Sequence, residues 1–314
     1  MNPIQLYQLN HLAKSISPSS FREIHDCVEF QKLIRQEIIL KNIDRLSEAI
    51  ENLNLNFSVS NQSFKIPIDE GMEFWASSLV DCANNEPNAM RLVYIHPDKN
   101  ICDKAKLLDE KNDDLNLGLE LKYPQCCIDA YCKWQTDNED IDPITTITNS
   151  LPFTGELQFY NFPNPFSRYF GSGLYSHFPC SLTCKETKQI AKQSLDNLQI
   201  HFPFVADKLI QQENSFVIFQ KEEGVCIWSR FDVNDNRIQL DKNRFQGQGK
   251  LKEIFSTVEE IELGENHLLL FSELHNQKIF KTDNCFIGAF NYLANAQKNT
   301  LLKTATRQPT NQSF

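Results

Sequence analysis

Between residues 20 and 55 apolar side chains recur every three or four positions among charges, at Val28, Leu33, Ile34, Ile38, Ile39, Ile43, Leu46 and Ile50. This spacing predicts a helical N-terminal region, because residues three and four apart share one helix face. Ser20 with Glu23, just after Pro18, has capping-box spacing and marks its start, and Asn52 to Asn56 marks its end. The periodicity then changes. Residues 56–60 alternate, and Met90 to Ile95 is a short apolar run before His96-Pro97, so both read as strands. A helix is expected over Gly71 to Cys82 between them. Another is expected over Ile101 to Leu108 with Leu115 to Leu121, ahead of Tyr123-Pro124.

Residues 136–176 show no sustained period and read as one long structured loop, a feature that is uncommon without a functional reason. A helix follows from about Thr183 to Leu198, with Cys184, Ile190, Ala191, Leu195 and Leu198 as its apolar positions. From Ser215 the pattern breaks into short runs at Phe216–Phe219, Gly224–Phe231, Arg237–Leu240, Leu268–Phe271, Lys278–Lys281 and Cys285–Phe290. These are strands, with 232–236 and 273–276 polar enough for hairpin connections. The expected fold is therefore α/β or α+β. It comprises a helical segment over 1–55, a central cysteine-bearing α/β region over 56–213, a β-rich region over 214–301 and a flexible tail over 302–314.

Composition narrows the function. The 314 residues are 41% hydrophobic and 23% charged, which supports a folded core and excludes global disorder. The net charge of −10 speaks against an extensive nucleic-acid surface. No run approaches the roughly 18 apolar residues of a membrane span, and the opening MNPIQLYQLNHLAKSIS lacks the layout of a secretion signal, so the expected location is cytoplasmic with no membrane partner. There is no phosphate-binding G-x-x-x-x-G-K-[ST] loop, no G-x-S-x-G elbow and no H-E-x-x-H. The acidic run at Asp137, Glu139, Asp140 and Asp142 lacks the order of a calcium loop and reads as solvated.

The chemistry lies in the cysteines. Cys27, Cys82, Cys102, Cys132, Cys226 and Cys285 are scattered and read as small buried side chains. The other four form two pairs, in Tyr123-Pro124-Gln125-Cys126-Cys127 and in His177-Phe178-Pro179-Cys180-Ser181-Leu182-Thr183-Cys184. Each pair follows an aromatic residue and a proline and precedes a predicted helix, Ile128 to Trp134 in one case and Lys185 to Leu198 in the other. Thr183 with Glu186 has capping-box spacing, which places Cys184 in the first turn. Helix N-termini favour anions, so both pairs are expected to carry lowered thiol pKa values and to suit a metal. Cys180-x3-Cys184 resembles a zinc knuckle, whereas adjacent cysteines diverge by roughly 100° on a helix and suit separate corners of an iron–sulfur cluster better than one ion. An iron–sulfur cluster is favoured and zinc is the alternative. A metal-free redox dithiol remains open as well.

His177, three residues before Cys180, is placed to ligate metal or transfer a proton. In the preceding segment Arg168 offers a planar cation able to clamp a carboxylate.

These motifs, Y-P-x-C-C with an aromatic four residues later at Tyr131 and H-x-P-C-S-x-x-C, resemble an uncharacterised prokaryotic family, domain of unknown function 483. The resemblance covers the middle third of the chain. It implies a shared cysteine site without naming a reaction.

Two functions follow as expectations. One is a metal- or iron–sulfur-dependent enzyme acting on a small, acidic metabolite, with Cys126, Cys127, Cys180 and Cys184 holding the cofactor, His177 moving protons and Arg168 gripping the acid. The other is a non-catalytic binding protein whose cysteines hold structural zinc. The sequence sets no oligomeric state.

Overall fold

In the computed structural model, residues 1–65, 80–86, 88–137, 143–151, 153–221, 223–272, 278–282 and 285–292 are described. The chain opens with helices α1 (Pro3–Leu12) and α2 (Pro18–Phe30), then runs through β1 (Ile34–Ile39), α3 (Ile43–Glu51), β2 (Asn56–Val59), β3 (Phe64–Lys65), β4 (Val80–Asp81) and β5 (Met90–His96). Helices α4 (Lys99–Glu110), α5 (Asp114–Glu120), α6 (Gln125–Asp137) and α7 (Pro143–Asn149) lead to β6 (Gln158–Tyr160) and then to α8 (Lys185–His201) and α9 (Pro203–Glu213).

In the first sheet β5 is flanked by β1 on one side and by β2 and β3 on the other, all antiparallel, with β4 outside β3. Val93 and Ile95 of β5 join a core shared with α2, while Leu92 and Tyr94 face α4 and α5. Burial on both faces explains why Leu92 to Ile95 of this strand read as an apolar run.

Within the N-terminal region expected to be helical throughout, residues 34–39 form strand β1 instead. Its apolar residues fit a helical period by position, but Ile34 pairs with Ile95 and Ile39 with Met90, so non-local pairing overrides the local pattern. The start of α2 also shifts. Ser17 is the N-cap, accepting a hydrogen bond from the Ser20 amide at 3.1 Å, and Pro18 occupies the first turn. Glu23 turns away from the expected capping box to meet Arg22, Gln36 and Ser176. The expected helix over 101–121 is two helices, broken where Asn112 takes a positive φ of 55°.

The segment 136–176, expected as a loop, contains α7, β6 and a tight helical turn at Pro165–Phe170. Helix α9 follows α8 after the single buried residue Phe202, with Pro203 at its first turn.

The C-terminal strands are β7 (Phe216–Gln220), β8 (Gly224–Trp228), β9 (Phe231–Asn234), β10 (Arg237–Leu240), β11 (Phe245–Gln248), β12 (Val258–Leu263), β13 (His267–Ser272), β14 (Lys278–Lys281) and β15 (Cys285–Phe290), with α10 (Gly249–Phe255) between β11 and β12. They make two sheets, ordered β11-β8-β7-β15-β6 and β14-β13-β12-β10-β9. Phe216, Ile218, Cys226 and Trp228 pack toward the second of these sheets and α10, whereas Val217, Phe219, Val225 and Ile227 join the core around α8 and α9. Gly224 permits the β7–β8 turn: its φ is +121°, and a Cβ there would stand 2.1 Å from the Gln248 carbonyl oxygen. Mixed helices and sheets, a helix-rich start and a strand-rich end make this an α+β protein.

The 273–276 connection, the acidic positions Glu139, Asp140 and Asp142, the tail over 302–314 and most of the helix expected over Gly71 to Cys82 lie outside the described residues. The described end of that last segment is strand β4. Among the described residues, no helix is long and apolar enough to cross a membrane.

Candidate metal centre

Two residues after α5 ends at Glu120, Lys122 takes a φ of 56° and turns the chain so that Tyr123 and Pro124 lead directly into α6. The two helices pack closely because Gly118 faces Ile128; a Cβ on residue 118 would lie 2.9 Å from Ile128 Cγ1. Cys126 and Cys127 therefore sit in the first turn of α6. The second pair arrives on the stretch before α8, with Cys184 as the N-cap residue of that helix. The expected Thr183–Glu186 capping box does not form. Glu186 Oε2 lies instead 3.5 Å from Cys184 Sγ and 3.9 Å from Cys126 Sγ.

More than fifty residues apart in sequence, the two pairs meet. All four sulfurs lie within 4.8 Å of one another, enough to hold a metal ion. Cys126 is 3.9 Å from Cys127 and 3.8 Å from Cys184, and Cys127 is 3.7 Å from Cys184. The divergence of neighbouring side chains on a helix does not keep the Cys126 and Cys127 sulfurs from lying 3.9 Å apart. The Cys180 amide donates to Cys127 Sγ at 3.4 Å, and the Thr187 hydroxyl lies 3.5 Å from the same sulfur. Cys126 is exposed, Cys180 half-buried, and Cys127 and Cys184 buried.

Helix N-termini do not lower all four thiol pKa values, as the sequence suggested. Burial pushes Cys126 up to about 12, helped by hydrogen bonding with Cys184 and Cys180, and it raises Cys127 and Cys180 too. Only Cys184 is lowered: burial opposes its charge, but hydrogen bonds from the Thr187 hydroxyl and amide and from the Cys127 and Cys180 thiols outweigh it. Crowding without a cation opposes ionisation of all four together, since sulfurs this close cannot all be charged. A coordinated metal reverses that balance and deprotonates its thiol ligands.

His177, read from the sequence as a metal ligand or a proton carrier, borders the cleft beside Cys127. It is 3% exposed, with its ring between Tyr123 and Tyr175, each 5.2 Å away between centroids. Its Nε2 lies 2.7 Å from Thr187 Oγ1, and its Nδ1 has no hydrogen-bond partner among the described residues. Burial, followed by the positive charges of Lys32, Arg168 and Arg22, lowers its pKa to about 3. The imidazole is therefore neutral near pH 7. It stands outside the group of four metal-ligating atoms and reaches them through Thr187. Arg168 donates to the Ser176 and His177 carbonyls at 3.2 and 3.5 Å and stacks over Phe178 at 4.2 Å.

A cleft of about 210 Å³ adjoins the cysteines and is bordered by Cys127, Tyr123, Tyr131, Arg168 and His177 together with Arg35, Glu37 and Asp114. Thr187, Arg35, Glu37 and Asp114 were not singled out from the sequence. Thr187 has a local signal, lying one turn after Cys184 on α8. The other three reach the cleft from β1 and α5, which no spacing in the chain relates to the cysteine motifs.

Residues 97–201 match the model of a family described as a protein of unknown function (DUF483), and that span contains all four cysteines, Arg168 and His177. No curated protein and no solved structure matches the chain.

Proposed function

We propose that Cys126, Cys127, Cys180 and Cys184 hold one tetrahedral metal ion, zinc in preference to an iron–sulfur cluster, and that this ion shapes the neighbouring cleft as a small-molecule site. The supporting observation is the sulfur spacing. Four bonds of about 2.3 Å in a tetrahedron put neighbouring sulfurs about 3.8 Å apart; the distances of 3.7, 3.8 and 3.9 Å among Cys126, Cys127 and Cys184 fit that edge, and Cys180 joins them within 4.8 Å. A four-iron cube bonds each thiolate to a separate corner and spreads the sulfurs to roughly 6 Å, so it would require this cluster to open. Four thiolates also saturate zinc, the pattern of a structural rather than a catalytic site. The ion would clamp the N-termini of α6 and α8 and fix Cys127 in the cleft wall. Ten cysteines with no disulfide among the described residues accord with a reducing, cytoplasmic location.

A second reading keeps the metal catalytic. It rests on the exposure of Cys126, which makes that thiolate the one replaceable by substrate.

Metal analysis of anaerobically purified protein tests both. Colourless protein with one zinc per chain supports the first reading, and brown protein with iron and sulfide overturns it. Serine at Cys126, Cys127, Cys180 or Cys184 should release the ion, whereas serine at Cys27 or Cys285 should not. If C126S alone keeps its zinc and binds ligand at the metal, the catalytic reading stands.

A further inference from the structure

The four sulfurs have different company on their buried and exposed sides. Around the buried Cys127 the neighbours are hydrogen-bonding groups of neutral charge: the Cys180 amide donates to its Sγ at 3.4 Å, and the Thr187 hydroxyl lies 3.5 Å away. Hydrogen bonds of this kind favour a charged thiolate. Around the exposed Cys126 the neighbour is itself an acid. Glu186 Oε2 lies 3.9 Å from Cys126 Sγ and 3.5 Å from Cys184 Sγ, on a side chain that is exposed. Among the described residues this carboxylate forms no ion pair. The first turn of α8 favours an acidic residue, but an exposed carboxylate satisfies that preference while pointing into solvent. The helix end does not account for its approach to two sulfurs.

Without an ion, the carboxylate accepts from the Cys126 and Cys184 thiols. Four thiolates on a divalent ion leave the centre doubly negative, and a carboxylate at these distances adds a third charge that repels the others. Contact with the ion reverses the sign. Bonds of about 2.3 Å to sulfur and about 2.0 Å to oxygen, at the tetrahedral angle, set a ligand sulfur and a ligand oxygen about 3.5 Å apart. That is the Glu186–Cys184 distance. Glu186 thus stands at ligand spacing from Cys184 and beside the exposed thiol of the set.

We propose that Glu186 is the exchange ligand of this centre: it binds the ion across the Cys126–Cys184 edge while Cys126 leaves, so that zinc passes to and from chelating donors in solution. The inference rests on the four-cysteine zinc reading. Zinc expands to five-coordination, which lets the oxygen add before the sulfur departs. A Glu186 oxygen supplies the electron pair of the new bond, and the Cys126 bond to the ion breaks with its pair left on sulfur, so nothing is oxidised or reduced. Thiolate is the softer donor and is preferred by zinc, so Glu186 holds the ion only in passage. An incoming chelator then displaces the buried Cys127 and Cys184 last.

Zinc transfer from the full-length, metal-analysed protein to the chromophoric chelator pyridylazoresorcinol tests this. E186Q keeps the shape of the side chain and weakens its oxygen as a ligand; it should retain one zinc per chain and slow the transfer by about tenfold or more, the scale on which residues around metal ligands act. E186D keeps a carboxylate and should recover most of the rate. D196N removes another exposed carboxylate of α8, about 15 Å along the helix axis, and should transfer zinc at the wild-type rate. Equal rates in wild type and E186Q overturn the proposal, as does an equal slowing in D196N, which would reduce the effect to net charge. Loss of zinc from E186Q at rest also overturns it, because Glu186 would then be a permanent ligand. Metal content separates the two readings. Wild-type protein without zinc removes the proposed centre and exchange with it, whereas zinc-loaded wild type and E186Q with equal transfer rates remove this inference alone.

Discussion

The Nε2 of His177 lies 2.7 Å from the Thr187 hydroxyl, so a histidine excluded from the metal-ligand set is held one hydrogen bond away from it. Thr187 is completely buried and also lies 3.5 Å from Cys127 Sγ. If His177 donates through Nε2, the Thr187 proton is free to point at the sulfur, the arrangement in which an outer partner orients a metal ligand.

Replacing Thr187 by valine preserves shape and removes the hydroxyl. Two buried polar partners lose their mate, and T187V should lose about 1–3 kcal/mol of stability and about 10- to 100-fold in metal affinity. T187S should retain both. Chelator competition and thermal melting measure the two losses separately, and unchanged metal affinity in T187V would show that the hydroxyl does not support Cys127.

Gly118 lies inside α5, where alanine would ordinarily gain up to about 1 kcal/mol. Here the added Cβ meets Ile128, a buried and branched side chain that has little room to withdraw. G118A should therefore be destabilising by about 1–3 kcal/mol, the usual cost of overpacking. The double variant G118A/I128A should be more stable than the two single losses predict when added. Simple additivity in urea unfolding would mean that the residues do not touch.

His177 links stability to acid. Its folded pKa of about 3 lies below the unfolded value of about 6.5, so between those values the unfolded chain binds the extra proton. The contribution is complete above pH 6.5 and is lost as the pH falls toward 3, with a slope of at most about 1.4 kcal/mol per pH unit. Subtracting the H177Q profile from that of the wild type should isolate this slope. A difference that does not vary with pH would place the charged ring in the folded protein.

Glu213 acts in the opposite direction. It is fully buried, and burial raises its pKa to about 8 despite hydrogen bonds from the Asn164 amide at 2.6 Å and the Ser167 hydroxyl at 3.3 Å. Its unfolded pKa is about 4.3, so the unfolded chain loses the proton first and stability falls as the pH rises from about 4.3 to 8. E213Q should flatten this decline. Melting temperatures at pH 5 and pH 8 test it directly, and a wild-type decline that persists in E213Q would assign the effect to another group.

Some of this protein was fixed locally along the chain. The cysteine pairs declared themselves because Pro-x-Cys-Cys and Cys-x3-Cys precede helix-forming sequence, and a helix start needs only a few adjacent residues. The C-terminal strands Phe216–Gln220 and Cys285–Phe290 were legible for a similar reason, since burial on both faces writes an apolar run directly into the sequence. Strand β1 was not legible. Ile34, Ile38 and Ile39 satisfy a helical period, and the choice of strand rests on hydrogen bonds to β5, more than fifty residues away. The same holds at the site. Spacing could bring four thiols under suspicion, but their approach to within 4.8 Å of one another arises only when the start of α6 meets the stretch that leads into α8. The neutrality of His177 likewise follows from what surrounds its ring in space. Burial and electrostatic fields depend on neighbours in three dimensions, and those neighbours come from helices and strands that the sequence keeps far apart.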